Sequence, residues 1–294
     1  MKLSHHRLMV SNLDQSLSFY RQHLGMTLLS RPQESDFEHC FLAYPQTQGA
    51  LLELVCRQGV KPEVASQPSR TEGYWKFSIS VVDLQRARQS LIDSGVSSVG
   101  ESFEVPDVAF LCHLQDPDGY WIELIQQTFK KNTPALLDDL KASVWYSACL
   151  NLSTLRSRDI DASLTFYEQI GLRLVSRQEV PDRNMTLYFL SGLEEPAPLD
   201  DVDAVEIREW LWQRPYTLLE LQHIHGTESQ KGFRYQVRTE SGFLGLTLEG
   251  DIDLSSDTEK RTANPTMGQY EQGKTLMDPD GYTIQILPSE SKSS

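Results

Sequence analysis

The chain has 294 residues, 39% hydrophobic and 23% charged, a balance that allows a packed core and either two ordinary domains or one large one. A formal net charge of −14 argues against a nucleic-acid backbone or an anionic membrane as partner, since both need clustered Lys and Arg; a small anion needs only a few local cations and stays open as a substrate. Apolar runs are strand-sized, too short to span a bilayer, and Cys40, Cys56, Cys112 and Cys149 lack any short paired spacing or a preceding apolar leader, so they read as reduced thiols of a cytoplasmic protein.

Residues 3–10 suit a strand. Residues 13–24 predict a helix, with Leu17, Tyr20 and Leu24 on one face and Gly25 just past its end. Strands are expected near 26–30, 37–44 and 50–56. A second round follows: a strand at 75–82, a helix at 84–94, and strands at 97–100, 108–115 and 120–127. "DPDG" between the last two is a hairpin turn signal. The stretch "KKNTPALLDDLKAS" (130–143) reads as a linker with a short helix opened by Thr133 and Pro134.

The pattern then repeats. "NLDQSLSFYRQHLGMTLLSR" (12–31) returns as "DIDASLTFYEQIGLRLVSR" (159–177), and DPDGY at Asp116 returns at Asp278. The second copy carries an insertion, "SGLEEPAPLDDVDAVEIREWLWQRP", rich in Pro and acid; it reads as a solvated loop with a short helix at 203–212 and no chemistry of its own. Each copy therefore holds two βαβββ units, and the fold class is α+β, four such units forming two curved sheets. The organisation is a first module at 1–128, a linker at 129–146, a second module at 147–288 and a polar tail at 289–294.

One polar residue recurs in the last strand of every unit: Glu53 in "ALLELVC", Glu123 in "DPDGYWIELI", Glu220 in "TLLELQH" and Gln285 in "MDPDGYTIQIL". A lone buried carboxylate is expensive unless it is paired or binds a metal. Strand alternation puts Leu51, Glu53 and Val55 on one face, and Trp121, Glu123 and Ile125 on another, so curved sheets would aim these groups into shared cavities.

Here the sequence resembles the glyoxalase I (lactoylglutathione lyase) branch of the vicinal oxygen chelate superfamily. "LSHHRLMVSNLDQSLSFYRQHLGMTLL" looks like the opening of a bacterial member and "DPDGYWIELI" like its closing hairpin. "VPDRNMTLYFLS" and "WLWQRPYTLLELQHIHGTE" look like a eukaryotic one. The resemblance covers nearly the whole chain apart from the linker and the tail. It implies one divalent metal, usually Ni²⁺ or Zn²⁺, held by a His or Gln from the first strand, a Glu from the fourth, a His from the fifth and a Glu from the eighth. It also implies isomerisation of the hemithioacetal of methylglyoxal and glutathione, with a ligand Glu moving a proton between neighbouring carbons.

Position by position, the first copy matches with His5, Glu53 and Glu123 and departs at Lys76. The second copy matches with Glu220 and departs at Leu152, near Gly245 and at Gln285. Swapping halves, as the family does, gives one cavity with His5, Glu53 and Gln285, in which Glu53 is ligand and base and the other two are ligands. The second cavity brings Lys76, Glu123 and Glu220 together, an ion pair in place of the metal. The family's first-strand Arg is Met9 in one copy and Arg156 in the other. Arg156 and Arg57, with Arg70 and Lys274, are the candidates for a substrate anion. His223 and His225 read as structural, and His113 and Cys112 as strand packing.

The reading is thus a glyoxalase I-like, metal-dependent lyase or isomerase of a small oxygenated substrate, such as a 2-oxoaldehyde–thiol hemithioacetal. The alternative is a non-catalytic small-molecule binding protein of the same fold, with no metal. An extradiol dioxygenase, which needs two His and one Glu in one module, is excluded. The modules pair within a monomer or across a homodimer.

Overall fold

The structure, a computed structural model, describes residues 1–32, 37–65, 69–129, 133–134, 143–192, 195–251 and 273–289. The helix expected in the linker and the tail beyond residue 289 lie outside the described residues. The first copy runs β1 (Lys2–Met9), α1 (Leu13–Gln22), β2 (Thr27–Ser30), β3 (Glu38–Ala43), β4 (Leu51–Cys56), β5 (Tyr74–Val81), α2 (Leu84–Asp93), β6 (Phe103–Val105), β7 (Ala109–Gln115) and β8 (Trp121–Gln126). The second runs β9 (Cys149–Ser157), α3 (Ile160–Gln169), β10 (Arg173–Val180), β11 (Met185–Ser191), α4 (Val205–Trp212), β12 (Leu218–Ile224), β13 (Phe243–Glu249), β14 (Lys274–Met277) and β15 (Thr283–Leu287). Asn12, Asp83 and Asp159 cap α1, α2 and α3, each accepting a hydrogen bond from the backbone N–H three residues on. The strand expected at 97–100 does not form; its place is taken by β6, where Phe103, Glu104 and Val105 pair with β7. Turn residues follow α2, and the backbone first meets the sheet at Gly100, whose N–H donates to the His113 carbonyl of β7 at 2.8 Å.

The strands make two sheets, ordered β14-β15-β13-β1-β4-β3-β2 and β10-β11-β12-β9-β5-β8-β7-β6. Each sheet therefore joins the first unit of one copy to the second unit of the other. The seams are antiparallel, β1 against β13 and β5 against β9, while β1–β4, β13–β15, β9–β12 and β5–β8 are parallel. One apolar core draws on both sheets, with Leu52, Leu54 and Leu246 from the first and Ile79, Leu124 and Leu221 from the second all buried. Each fully buried Leu or Ile contributes about 1.5–3 kcal/mol relative to exposure.

The two motifs that repeat in sequence lock the sheets together. Tyr20 on α1 donates to Asp116 at 2.7 Å, and Tyr167 on α3 donates to Asp278 at 2.9 Å. Each aspartate also accepts from backbone amides of its own turn, which Gly119 and Gly281 close at φ 94° and 99°. The tyrosine ending each turn then crosses over: Tyr120 donates to the Met9 carbonyl at 2.7 Å and Tyr282 to the Arg156 carbonyl at 3.1 Å.

His6 is a further tie. Fully buried on β1, it meets Ser153 of β9 at 2.8 Å and the Tyr74 hydroxyl of β5 at 3.1 Å. Burial lowers its pKa from 6.5 to about 3, so it folds as neutral imidazole. The unfolded chain takes up a proton at this residue below pH 6.5 and the folded one does not until about 3. Its stabilisation is therefore complete above pH 6.5 and is lost as pH falls, by about 1.4 kcal/mol per unit. Between pH 7 and 5 this slope is expected in the difference between the urea-denaturation stabilities of the unmodified chain and His6→Asn, since the buried Asp116 and Asp278, raised to about 7, contribute oppositely to both.

Candidate functional site

In the first sheet, parallel pairing of β1 and β4 sets Arg7 beside Glu53. The Arg7 Nε donates to Glu53 Oε2 at 2.8 Å, and both side chains are essentially without solvent contact. His39 Nδ1 stands 3.5 Å from Glu53 Oε1. Burial opposes the charge on Glu53, but the Arg7 guanidinium and the His39 bond outweigh it and hold the carboxyl below its ordinary 4.5. His5 and Gln285 lie in one cross-strand row, each opposite Thr247 of β13. His5 is half-buried with Nδ1 at 3.0 Å from Ser4 Oγ, and burial takes its pKa down to about 4 against the pull of Glu53. The structure thus brings His5, Glu53 and Gln285 to one sheet, and it adds a cation the sequence reading overlooked. Alternation was signal enough: Arg7 falls two residues from His5, on the same strand face.

The second sheet repeats the arrangement with the roles exchanged. Lys76 on β5 stands opposite Thr154 on β9, which stands opposite Glu220 on β12. Its Nζ donates to Glu123 Oε1 at 2.8 Å, Glu220 Oε2 at 3.2 Å, Thr154 Oγ1 at 3.2 Å and Ser78 Oγ at 3.3 Å. Ser78 in turn donates to Glu123 at 2.7 Å, Thr154 to Glu220 at 2.6 Å, and Gln222 to the other Glu220 oxygen at 2.9 Å. Burial disfavours the Lys76 charge, yet Glu123 and Glu220 together raise its pKa above 10.5. Glu123, disfavoured by burial, is nevertheless held well below the usual carboxylate range by Lys76 and by a bond from His113. Buried groups this well satisfied are the form in which an ion pair survives in a core.

These seats decide whether a divalent ion fits. A metal needs lone pairs that no other cation has taken. Arg7 already lies on Glu53, and Lys76 lies between Glu123 and Glu220. Among the described residues, no group of three His, Cys, Asp or Glu side chains is arranged to hold an ion. The side chains present do not fit the metal that the resemblance implied.

A hollow opens above Lys76, Glu123 and Glu220. Its walls are apolar, with Trp75, Phe103, Leu187, Phe189 and Trp212, and Arg183 stands at its rim. Few convergent polar groups under apolar walls is the usual make-up of a small-molecule site. Two expectations are corrected here. The insertion is not only solvated loop: its helix α4 buries Ile207, Leu211 and Trp212, and Trp212 walls the hollow, donating to the Val108 carbonyl at 2.8 Å. The spacing of Ile207 and Leu211 already marked an apolar helix face. His113 is not mere strand packing either; it lines the hollow with Nε2 3.1 Å from Glu123 Oε2.

The anion candidates separate. Arg156 is buried on β9, its Nη1 donating to the carbonyls of Ser69 and Glu72 and its guanidinium 5.8 Å from the Trp75 ring centre. Arg57 is exposed just past β4 of the other sheet. His223 and His225 face each other at 5.9 Å between ring centres, with His223 beside Glu228 at 3.3 Å. Cys40, Cys112 and Cys149, whose thiols burial pushes up to about 12, are poor nucleophiles.

A family model described as the Glyoxalase/Bleomycin resistance protein/Dioxygenase superfamily matches residues 2–124. A lactoylglutathione lyase of Schizosaccharomyces pombe is 26% identical over 315 aligned positions, spanning 97% of this chain and 96% of that protein. One from Pseudomonas putida is 32% identical over 148 positions, spanning 47% of this chain and 83% of its own length. The crystal structure of glyoxalase I from Zea mays superposes with a TM-score of 0.67 at 21% identity, covering 98% of this chain and 92% of that one.

The buried charges make a test. Lys76→Met leaves Glu123 and Glu220 facing each other without a cation and is expected to cost about 3–5 kcal/mol in urea denaturation. Adding Glu123→Gln to Lys76→Met is expected to recover part of that loss, because one of the two stranded charges is then gone.

Proposed function

The chain belongs to the glyoxalase/bleomycin resistance protein/dioxygenase superfamily, and from that premise we propose that it is a lyase or isomerase of the glyoxalase I type, acting on a small oxygenated substrate. The hemithioacetal of a 2-oxoaldehyde and a thiol is the proposed substrate class. The observation that carries this reading is the near end-to-end relation to lactoylglutathione lyases, joined to a hollow whose floor holds carboxylates at the corresponding strand positions. We place the reaction in the second-sheet hollow. There the apolar walls would hold the substrate body and exclude water, and Arg183 at the rim is the cation available to an anionic end. In the first sheet, His5, Glu53 and Gln285 occupy the positions proposed for metal ligands and Glu53 that of the base. Arg7 neutralises Glu53 there, so no step is routed through an ion. Four cysteines with no disulfide accord with a reducing compartment such as the cytoplasm.

One observation favours a second reading, sequestration without turnover. The three protons of the Lys76 ammonium meet four protein acceptors, which leaves none free for a substrate oxygen.

An assay of methylglyoxal–glutathione hemithioacetal conversion, run beside metal analysis of the purified protein, separates the two. Turnover is expected under the first reading. Thermal stabilisation by the hemithioacetal, unaffected by chelator and without turnover, would replace it with the second.

A further inference from the structure

Glu123 does more than neutralise Lys76. Its Oε1 accepts from Lys76 at 2.8 Å and from Ser78 at 2.7 Å, while Oε2 faces His113 Nε2 at 3.1 Å. His113 on β7 is the direct cross-strand partner of Glu123 on β8, so the two side chains leave the same face of the sheet. Rings fix the imidazole plane: Phe103 at 5.6 Å, Trp75 at 5.9 Å and Trp121 at 6.1 Å between centres. The imidazole keeps 18% of its surface open and lines the hollow, while Glu123 behind it keeps 6%. An ionised carboxylate only accepts, so Nε2 must carry the proton and Nδ1 is left basic. An accessible imidazole, oriented by a buried carboxylate that is itself fixed by a buried ammonium, has the parts of a general acid–base device.

From this geometry we infer that His113 is the acid–base residue of the second-sheet hollow, and that it moves a proton between neighbouring carbons of a small α-hydroxycarbonyl compound without a metal. The inference rests on the glyoxalase I-type reading given above. Nδ1 takes the proton from the hydroxyl-bearing carbon, and the C–H electron pair passes into the adjacent carbonyl to form an enediolate. The imidazolium, paired with Glu123, returns the proton to the neighbouring carbon. The hydroxyl proton passes to the neighbouring oxygen as the first carbon becomes the carbonyl. One carbon is oxidised and its neighbour reduced within one molecule, so no co-reactant is consumed. Arg183 at the rim, which makes no ion pair among the described residues, supplies the cation for the enediolate oxygen. Glu123 and Lys76 are positioning residues, acting through His113.

The test uses the full chain stripped with EDTA and the methylglyoxal–glutathione hemithioacetal in D₂O. Stripped protein is expected to turn over, with solvent deuterium in the product. His113→Gln is expected to lose about 10²–10⁴-fold in kcat with a smaller change in KM. Glu123→Gln is expected to shift the His113 ¹⁵N signals away from the Nε2–H tautomer. Equal turnover by His113→Gln would overturn the role of His113 and leave the lyase reading standing. Turnover only after Ni²⁺ or Zn²⁺ is added would overturn the metal-free step alone. No turnover with or without metal would remove the lyase reading and this step with it. Should His113→Gln fail to fold, a Nδ1–H tautomer in the ¹⁵N spectrum of the unmodified chain would still overturn the inference.

Discussion

A carboxylate buried in an apolar sheet stays charged only beside a cation, and each sheet of this protein provides that cation from its own side chains. Arg7 serves Glu53, and Lys76 serves Glu123 and Glu220. The seats are equivalent by the repeat, yet the cation arrives from different strands. In the first sheet Arg7 lies between Glu53 and Gly245; in the second Thr154 lies between Glu220 and Lys76. Each seam thus pairs one long cation with one small neighbour. At Gly245 a small residue is also obligatory, because φ is 117° and a Cβ would collide with the Thr283 carbonyl. A second long side chain opposite Arg7 would have no room, so the first seam takes a single cation.

The exchange of halves between the copies makes these seats possible. Glu220 comes from one copy, Lys76 and Glu123 from the other, and they meet only because β5 pairs with β9. The same exchange explains the repeated motifs. The tyrosine of each SL(S/T)FY stretch is satisfied by the aspartate of a DPDGY turn on the other sheet, and the tyrosine of that turn reaches back to a first-strand carbonyl. Each of these buried hydroxyls needs its partner, since an unsatisfied one would cost about 1–3 kcal/mol.

The two seats are not equally placed to act. In the first, Glu53 is closed off by Arg7 with almost no exposure. In the second, two carboxylates and one ammonium leave a net negative charge beneath an apolar hollow, and His113 stands between that charge and the opening. The insertion unique to the second copy walls this hollow through Trp212. The difference between the two seats therefore follows from a few residues and one inserted helix, on scaffolds that are otherwise alike.

Periodicity and the internal repeat sufficed for the βαβββ units and for the placement of Glu53, Glu123, Glu220 and Gln285 in last strands, while the meeting of Lys76 with both glutamates followed from the exchange of halves that the family resemblance implies. Those features are local or follow from pairing equivalent strands. Cross-strand neighbours were harder, because register is set by contacts distant in sequence. Nothing local in "FLCHLQ" says that His113 faces Glu123 across a hairpin and looks into a hollow; nothing local in "WLW" says that Trp212 reaches a wall built by the other copy. The composition of Arg7 and Glu53 was visible from the start, but that a guanidinium fills the place expected for a metal is decided by how tightly the two strands bring them together, which only the tertiary structure settles.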